Sequence, residues 1–220
     1  MPYIYNNLEY LNESELYDVG FHKIAGIDEV GRGCLFAEVV VACVMLHKEH
    51  GIVGLKDSKK LSEKQREELY DKIMTHSIAV SVAQASNEEI DRINIYQAVK
   101  KCVYSSINNL SVQPDFVIVD GVFTLNKLLL PYMSIPGGDG AEIYDESGKR
   151  RKLVGHHYEN IAAASIIAKV YRDRLMKQYA KMFPEYGLDK NKGYGTEQHR
   201  EALKKYGPTK LHRRSFKGVV

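Results

Sequence analysis
Residues 39–46, Val-Val-Val-Ala-Cys-Val-Met-Leu, are apolar without interruption. A strand of that composition has no face to give to water, so the sheet it joins must be covered on both sides. Residues 23–29 read as a second strand, and the glycine turn at Gly31-Arg32-Gly33 joins the two, so an antiparallel pair is expected. Ser62 then caps a helix that runs to about Thr75, with Gln65 placed to complete a capping box. Ile78, Val80 and Val82 alternate as in a strand, residues 94–109 have the length and spacing of a helix, and residues 116–120 form a short buried strand. This alternation predicts an α/β fold with a mixed sheet. Asp120 ends its strand, which is where open α/β sheets bind ligands.

Beyond Asp120, Pro131, Pro136, Gly137, Gly138 and Gly140 interrupt the pattern, and Asp139 lies among those glycines. Asp145-Glu146-Ser147-Gly148 reads as the tip of a hairpin between residues 141–144 and 152–154. Asn160 opens a long alanine-rich helix that reaches about Met182, and a last helix, residues 197–206, stops at Gly207-Pro208.

Chemistry concentrates where the first strand meets its turn. Asp28 and Glu29 are adjacent hard oxygen donors of the kind magnesium or manganese prefers. Gly31 and Gly33 let main chain approach a bulky ligand, and Arg32 can fork onto a phosphate. The combination suggests metal-assisted chemistry on a phosphodiester, against the plainer alternative of a strand that ends in an acidic turn.

The chain has 220 residues, enough for one good core, and its 44% hydrophobic and 27% charged content is that of a soluble globular protein. Met1 is followed by no apolar run long enough for a signal peptide or membrane span, so no membrane association and a cytoplasmic location are expected. Cys34, Cys43 and Cys102 are odd in number and lack metal-ligand spacing, which fits a reducing compartment and argues against zinc or a disulfide framework. Net charge is only +3, but the chain from Lys149 onward is strongly basic. A basic region set against acidic ligands is expected of a nucleic-acid groove beside a metal site; a solvated helix face is the alternative.

Six ordered motifs resemble those of the ribonuclease HII family. They are Gly26-Ile27-Asp28-Glu29-Val30-Gly31-Arg32-Gly33, Asp57-Ser58-Lys59-Lys60-Leu61-Ser62, Val119-Asp120-Gly121, Ala162-Ala163-Ala164-Ser165-Ile166-Ile167-Ala168-Lys169-Val170-Tyr171-Arg172-Asp173, Lys192-Gly193-Tyr194-Gly195-Thr196 and His212-Arg213-Arg214-Ser215-Phe216. The resemblance covers residues 22–216. It implies a ribonuclease H-like catalytic domain over residues 1–182 and a C-terminal helical extension over 183–220, working as one unit. The implied activity is endonucleolytic cleavage of the RNA strand of RNA–DNA hybrids and of single ribonucleotides in duplex DNA. The sister family, ribonuclease HIII, is disfavoured by the presence of Tyr194 and by the short stretch before the first motif.

Two divalent ions, Mg2+ or Mn2+, about 3.5–4 Å apart would activate water and relieve the leaving oxygen of charge. Asp28 and Asp120 are the bridging candidates. Glu29 must bend round at the turn or ligate partly through its backbone, since adjacent side chains on a strand face opposite ways. The position expected for a fourth carboxylate falls on Gly155. Nineteen residues after Asp120, Asp139 fits instead, which makes residues 140–156 an insertion. The competing candidates are His156 and Glu159.

Other departures from the family are Cys34 for proline, Ala37-Glu38 for Gly-Pro, and Val122 for asparagine. The resemblance assigns the 2'-hydroxyl to Gly31, Arg32 and Gly33 and the neighbouring deoxyribose to Tyr194, whose alternative is a buried packing role. Lys59, Lys60, Arg172, Arg213 and Arg214 are phosphate-contact candidates, each alternatively an ordinary surface charge, and His212 is as suited to packing. A monomer is expected. The alternative function is a nucleic-acid-binding relative with a compromised metal site.

Overall fold
The apolar run becomes a strand with all eight residues buried, Val39–Leu46 (β2). It is flanked by Ile24–Val30 (β1) and Ser77–Ala85 (β3), both antiparallel to it. On the far side of β1, Phe116–Asp120 (β4) and Tyr132–Ile135 (β5) add parallel strands, giving the order β3-β2-β1-β4-β5. The computed structural model describes residues 11–136, 142–144, 150–152 and 158–219, the short strands 142–144 and 150–152 by their backbone alone.

Helices cover both faces, as so apolar a sheet requires. Asn87–Ile93 (α3) and Ile95–Asn108 (α4) pack on the face that carries Ala25, Ile27, Val117 and Val119. Asn94 caps α4 at its start and Asn109 at its end. The opposite face receives Glu63–His76 (α2) and Glu159–Met182 (α5). The capping box of Ser62 and Gln65 forms at α2, with Ser62 N–H donating to Gln65 Oε1 at 2.9 Å. Along α5, Ala162, Ala163, Ala164 and Ala168 are fully buried and let the helix settle close to the sheet. At Gly26 the approach is so near that a Cβ would stand 2.2 Å from the Asn160 carbonyl carbon.

Ahead of β1, Glu13–Asp18 (α1) closes the lower end of this layer through Leu16, which packs with Ile24, Phe116, Tyr158 and Ile161. The expected hairpin is present as Glu142–Tyr144 (β6) and Arg150–Lys152 (β7), with Ile143 opposite Arg151. Its second strand begins two residues earlier than the sequence pattern indicates, and the expected tip lies outside the described residues. The extension consists of Leu188–Asn191 (α6) and Glu197–Tyr206 (α7), which with Tyr186 pack on Leu35, Phe36 and Ala37. Among the described residues no helix is long and apolar enough to cross a membrane.

Candidate active site
Ile27 pairs with Val119 across the parallel β1/β4 ladder, so the next residue on each strand, Asp28 and Asp120, come side by side at the C-terminal ends. Neighbouring strands lie about 4.8 Å apart, and side-chain alternation turns both carboxylates to the α5 face. Asp28 is buried, at 8% exposure. Glu29 directs its N–H to Asp28 Oδ1 at 2.7 Å, while its carboxylate reaches the turn and meets Arg32 Nη1 at 3.2 Å. Burial raises the Glu29 pKa, and the Arg32 charge opposes that rise.

Hard carboxylate oxygens with no cysteine or histidine among them fit magnesium or manganese and do not fit softer metals. Among the described residues no three His, Cys, Asp or Glu side chains form a metal-binding group, so the set is incomplete there. Asp139 lies outside the described residues, as does His156. Glu159 belongs elsewhere: its carboxylate is 3.0 Å from His50 Nε2, in a pocket also lined by Glu13, Tyr17 and His47. Its neighbour Asn160 accepts from Leu46 N–H at 2.7 Å and lies on Gly26, toward the start of β1 and away from Asp28.

The turn after β1 is more than a hairpin link. Gly31 sits at φ +90°, and a Cβ on it would fall 2.1 Å from Arg172 Nε. Gly33, by contrast, is open: a Cβ there would meet only Tyr194 Cε1, at 4.0 Å. Cys34 N–H closes the turn onto Gly31 O at 3.3 Å, a bond that the family's proline has no hydrogen to make. The segment then laces into the extension, with Leu35 N–H on Gly193 O and Ala37 N–H on Leu211 O, both at 2.8 Å.

Arg172 and Arg213 correct the expectation of phosphate contact. They are 1% and 0% exposed, and both guanidinium groups donate to main-chain carbonyls, while Arg213 Nη2 is buried without a hydrogen-bond partner among the described residues. Arg172 donates to Glu38 O at 3.2 Å, Lys192 O at 2.6 Å and Phe36 O at 3.1 Å; Arg213 donates to Ala37 O at 2.8 Å and Arg32 O at 3.1 Å. Charged donors aimed at carbonyls are strong hydrogen bonds, and these fix the glycine turn from beneath. Burial, chiefly, lowers the Arg213 pKa to about 10. Arg214 instead gives its N–H to Asp91 Oδ2 at 2.9 Å.

Lys59 and Lys60 are exposed on the short helical turn Ser58–Lys60, where Asp57 accepts from Lys59 N–H at 2.9 Å. That turn is fastened to α5 by Ser165 Oγ on Ser58 Oγ at 2.9 Å. Lys59 stands near enough to influence both Glu29 and Tyr194. Tyr194 is 44% exposed, with a backbone bridge to Cys34 beside the open Gly33. The sequence reading missed the Ser58–Ser165 fastening and the Tyr179 hydroxyl on Glu38 Oε1 at 2.7 Å. Neither has a local sequence signal, because the partners are more than a hundred residues apart.

The family model for ribonuclease HII matches residues 25–219. The ribonuclease HII of Alkaliphilus metalliredigens is 48% identical over 210 residues, covering 93% of this chain and 94% of its own. That of Bacillus subtilis is 47% identical over 200 residues, covering 91% of this chain and 71% of its own. Among solved structures, the ribonuclease H2 of Pyrococcus horikoshii superposes with TM-score 0.71 at 25% identity, over 90% of this chain and 95% of that one. Bst-RNase HIII in complex with Mn2+ shares the fold, with TM-score 0.66 at 18% identity, over 92% and 70%. With its motifs in order and the family model matched over residues 25–219, the chain belongs to the ribonuclease HII family.

Proposed function
We propose that the chain cleaves the RNA strand of RNA–DNA hybrids and the phosphodiester at single ribonucleotides in duplex DNA, leaving 3'-hydroxyl and 5'-phosphate ends. As a member of its family it is a metal-dependent endoribonuclease. The observation that carries the reading is the register of β1 and β4, which pairs Asp28 with Asp120 at the mouth of a glycine turn flanked by half-exposed Tyr194. No observation favours the alternative of a binding protein with a compromised site.

Asp28, Glu29, Asp120 and Asp139 would hold the divalent cation, Mg2+ or Mn2+. When bound it neutralises charge on the phosphate and lets water serve as nucleophile. Asp139 is supported by position: β5 leaves the sheet at Ile135, directly beside Asp120, and Asp139 is four residues further along the chain. Gly31, Arg32 and Gly33 read the 2'-hydroxyl, the group that separates RNA from DNA. Tyr194 stacks on the deoxyribose beyond the junction, and Lys59 and Lys60 contact phosphates. Arg172 and Arg213 support the reader without touching substrate. The catalytic part, residues 1–182, and the extension, 183–220, work as one unit because the glycine turn is held by both.

We further propose that the protein acts as a monomer in the cytoplasm. All three cysteines are buried and free of disulfides, which fits a reducing compartment.

The test is cleavage of an end-labelled duplex with one ribonucleotide, with and without chelator. Incision on the 5' side of the ribonucleotide, stopped by chelator and restored by either metal, is expected. A 2',3'-cyclic phosphate product, or cleavage indifferent to chelator, overturns the reading.

A further inference from the structure
We propose that the buried pair His199 and His212 is a positioning device for Tyr194, fixing its ring relative to the glycine turn and so setting the preference for an embedded ribonucleotide. The proposal rests on the assignment of Tyr194 to the deoxyribose. The two imidazoles are 0% and 1% exposed and meet Nε2 to Nε2 at 3.1 Å. Their other nitrogens are committed at both ends. His199 Nδ1 lies 2.9 Å from Tyr194 O, and a carbonyl only accepts, so Nδ1 carries the proton and Nε2 of His199 is an acceptor. His212 Nδ1 receives the Thr209 N–H at 2.9 Å, so its proton is on Nε2. The chain of donors therefore runs one way: Thr209 N–H to His212, His212 Nε2–H to His199, His199 Nδ1–H to the Tyr194 carbonyl. Both rings are neutral, each tautomer is dictated by the next, and every polar atom of the pair is used.

The relay closes a larger loop. Cys34 and Phe36, two residues apart just after the glycine turn, make isolated backbone bridges to Tyr194 and His212 respectively. The histidines join the far sides of those two bridges. The Phe36 ring also meets the His212 ring edge-on at 4.8 Å, and the Tyr186 ring lies 4.9 Å from His212. Tyr194 is thus referenced to the turn by two routes, one along the backbone and one through the imidazoles. Its main chain is pinned further by its own N–H on Asn191 O at 2.9 Å and by Thr196 N–H on its carbonyl at 2.8 Å. A ring left 44% exposed on so constrained a backbone is built as a fixed platform. An ordinary core would be filled by apolar side chains, which avoid the cost of burying four ring nitrogens. Matched imidazoles add direction: they let only one arrangement of α7 and the 209–212 segment satisfy all partners.

A comparison on two substrates tests this: the wild type, His199→Phe, His199→Asn, Tyr194→Ala and the double variant of His199→Phe with Tyr194→Ala, each assayed on a single-ribonucleotide duplex and on a continuous hybrid. His199→Phe keeps the ring volume and removes the donor. It should lower kcat/KM on the single ribonucleotide about ten-fold more than on the hybrid, the worth of about one hydrogen bond in placing the ring. His199→Asn, whose amide can still donate to the Tyr194 carbonyl, should recover most of that selectivity. In the double variant the His199 change should add no further loss of selectivity, because the platform it positions is gone. Equal losses on both substrates from His199→Phe, with melting temperature lowered in step, mean a packing role only and overturn the proposal. A selectivity loss that persists in the double variant overturns it as well. If Tyr194→Ala itself leaves the ratio of the two substrates unchanged, it is the assignment of Tyr194 that fails, and the two failures are told apart.

Discussion

The two walls of the site are built from different materials. On the turn side, residues 31–37 are gripped by buried arginines, a buried histidine pair and the main chain of the extension. On the Asp120 side, the chain after β4 is held by strand pairing and neutral hydroxyls. Ser134 Oγ accepts from Phe123 N–H at 2.8 Å and donates to Gly121 O at 2.9 Å, and the Tyr132 hydroxyl accepts from Leu125 N–H at 3.0 Å. Exposed apolar residues, Val122 at 73% and Leu129 at 95%, sit on that side. A buried guanidinium costs several kcal/mol if its carbonyls are taken away, whereas a hydroxyl bond contributes about 1 kcal/mol. The wall proposed to read a 2'-hydroxyl is the one locked in place, and the wall that carries Asp120 is held by weaker bonds.

The sharpest way to break this comparison is to remove one group from each wall. Asp120→Asn should cut turnover by roughly two to four orders of magnitude, since charge neutralisation supplies much of the barrier reduction. Its urea midpoint should barely move. Arg172→Met should do the reverse first: three charge-assisted bonds disappear and buried carbonyls are stranded, for a loss on the order of 4 kcal/mol by chemical denaturation. Activity would then fall with the folded fraction. Should Arg172→Met stay fully stable while losing substrate affinity, the buried position is not its working one and phosphate contact regains its place.

The fold was legible because its signals are local. The apolar run of β2, the capping box at Ser62, the two asparagines bounding α4 and the Gly207-Pro208 stop are each written within a few residues, and all four appear in place. The carboxylate pair was legible for a related reason: strand ends in a parallel sheet are where ligands gather, and a short apolar run points to one. The supporting shell was hidden. Arg172 and Arg213 read as phosphate contacts, with surface charge as the alternative, because a sequence does not show that carbonyls from residues 32–38 and 192 converge on them. Histidines thirteen residues apart give no sign that their rings touch. Glu29 stayed ambiguous until the partner at the turn, Arg32, showed which way its carboxylate bends.

A gentler test uses pH, because two separate regions, the extension beside the glycine turn and α1 near the start of β1, carry buried groups whose shifts have opposite sign. At the turn end, burial first and then the His199 charge push His212 down to about 4, and burial also lowers His199. The groups facing the pair are the Tyr186 and Phe36 rings, Thr209 and, on α7, the Arg200 charge, which further disfavours a proton on His199. The unfolded chain takes up protons there that the folded chain refuses. Stability from His212 is therefore complete above about pH 6.5 and lost as pH falls toward 4, by roughly 3 kcal/mol, and His199 acts in the same direction. At the other end, burial raises Glu13 to about 7 even though its carboxylate accepts from Asn160 N–H at 2.9 Å. That group works against the fold as pH rises from 4.5 toward 7. Glu13→Gln should remove the loss of stability as pH rises from 4.5 toward 7, and His212→Asn the loss as pH falls from 6.5 toward 4, so the two variants tilt the profile in opposite senses over an overlapping window. Identical profiles for both variants would mean the two ends titrate as one unit.

The smallest effect expected is at Ala37, where family members usually have glycine. Its φ is +61°, in the left-handed region, which costs a residue with a Cβ about 1–2 kcal/mol. Replacement by glycine would relieve that cost, yet two opposing terms come with it. The Ala37 methyl is fully buried in the cluster of Phe36, Met176 and Leu203, and losing it costs about 0.8 kcal/mol. Glycine also frees the unfolded chain, for a further penalty of about 0.4–1 kcal/mol. The sum is close to zero, so Ala37→Gly should change stability by under about 0.5 kcal/mol, while Ala37→Val should destabilise markedly because a β-branched residue fits that conformation poorly. Near-neutrality would show how the rigid wall absorbs a departure from the family pattern: the strain at Ala37 is offset by packing that the extension itself supplies. A gain above about 1 kcal/mol for Ala37→Gly would instead mean that the methyl packs to no advantage, and that the turn-side wall stores backbone strain at Ala37.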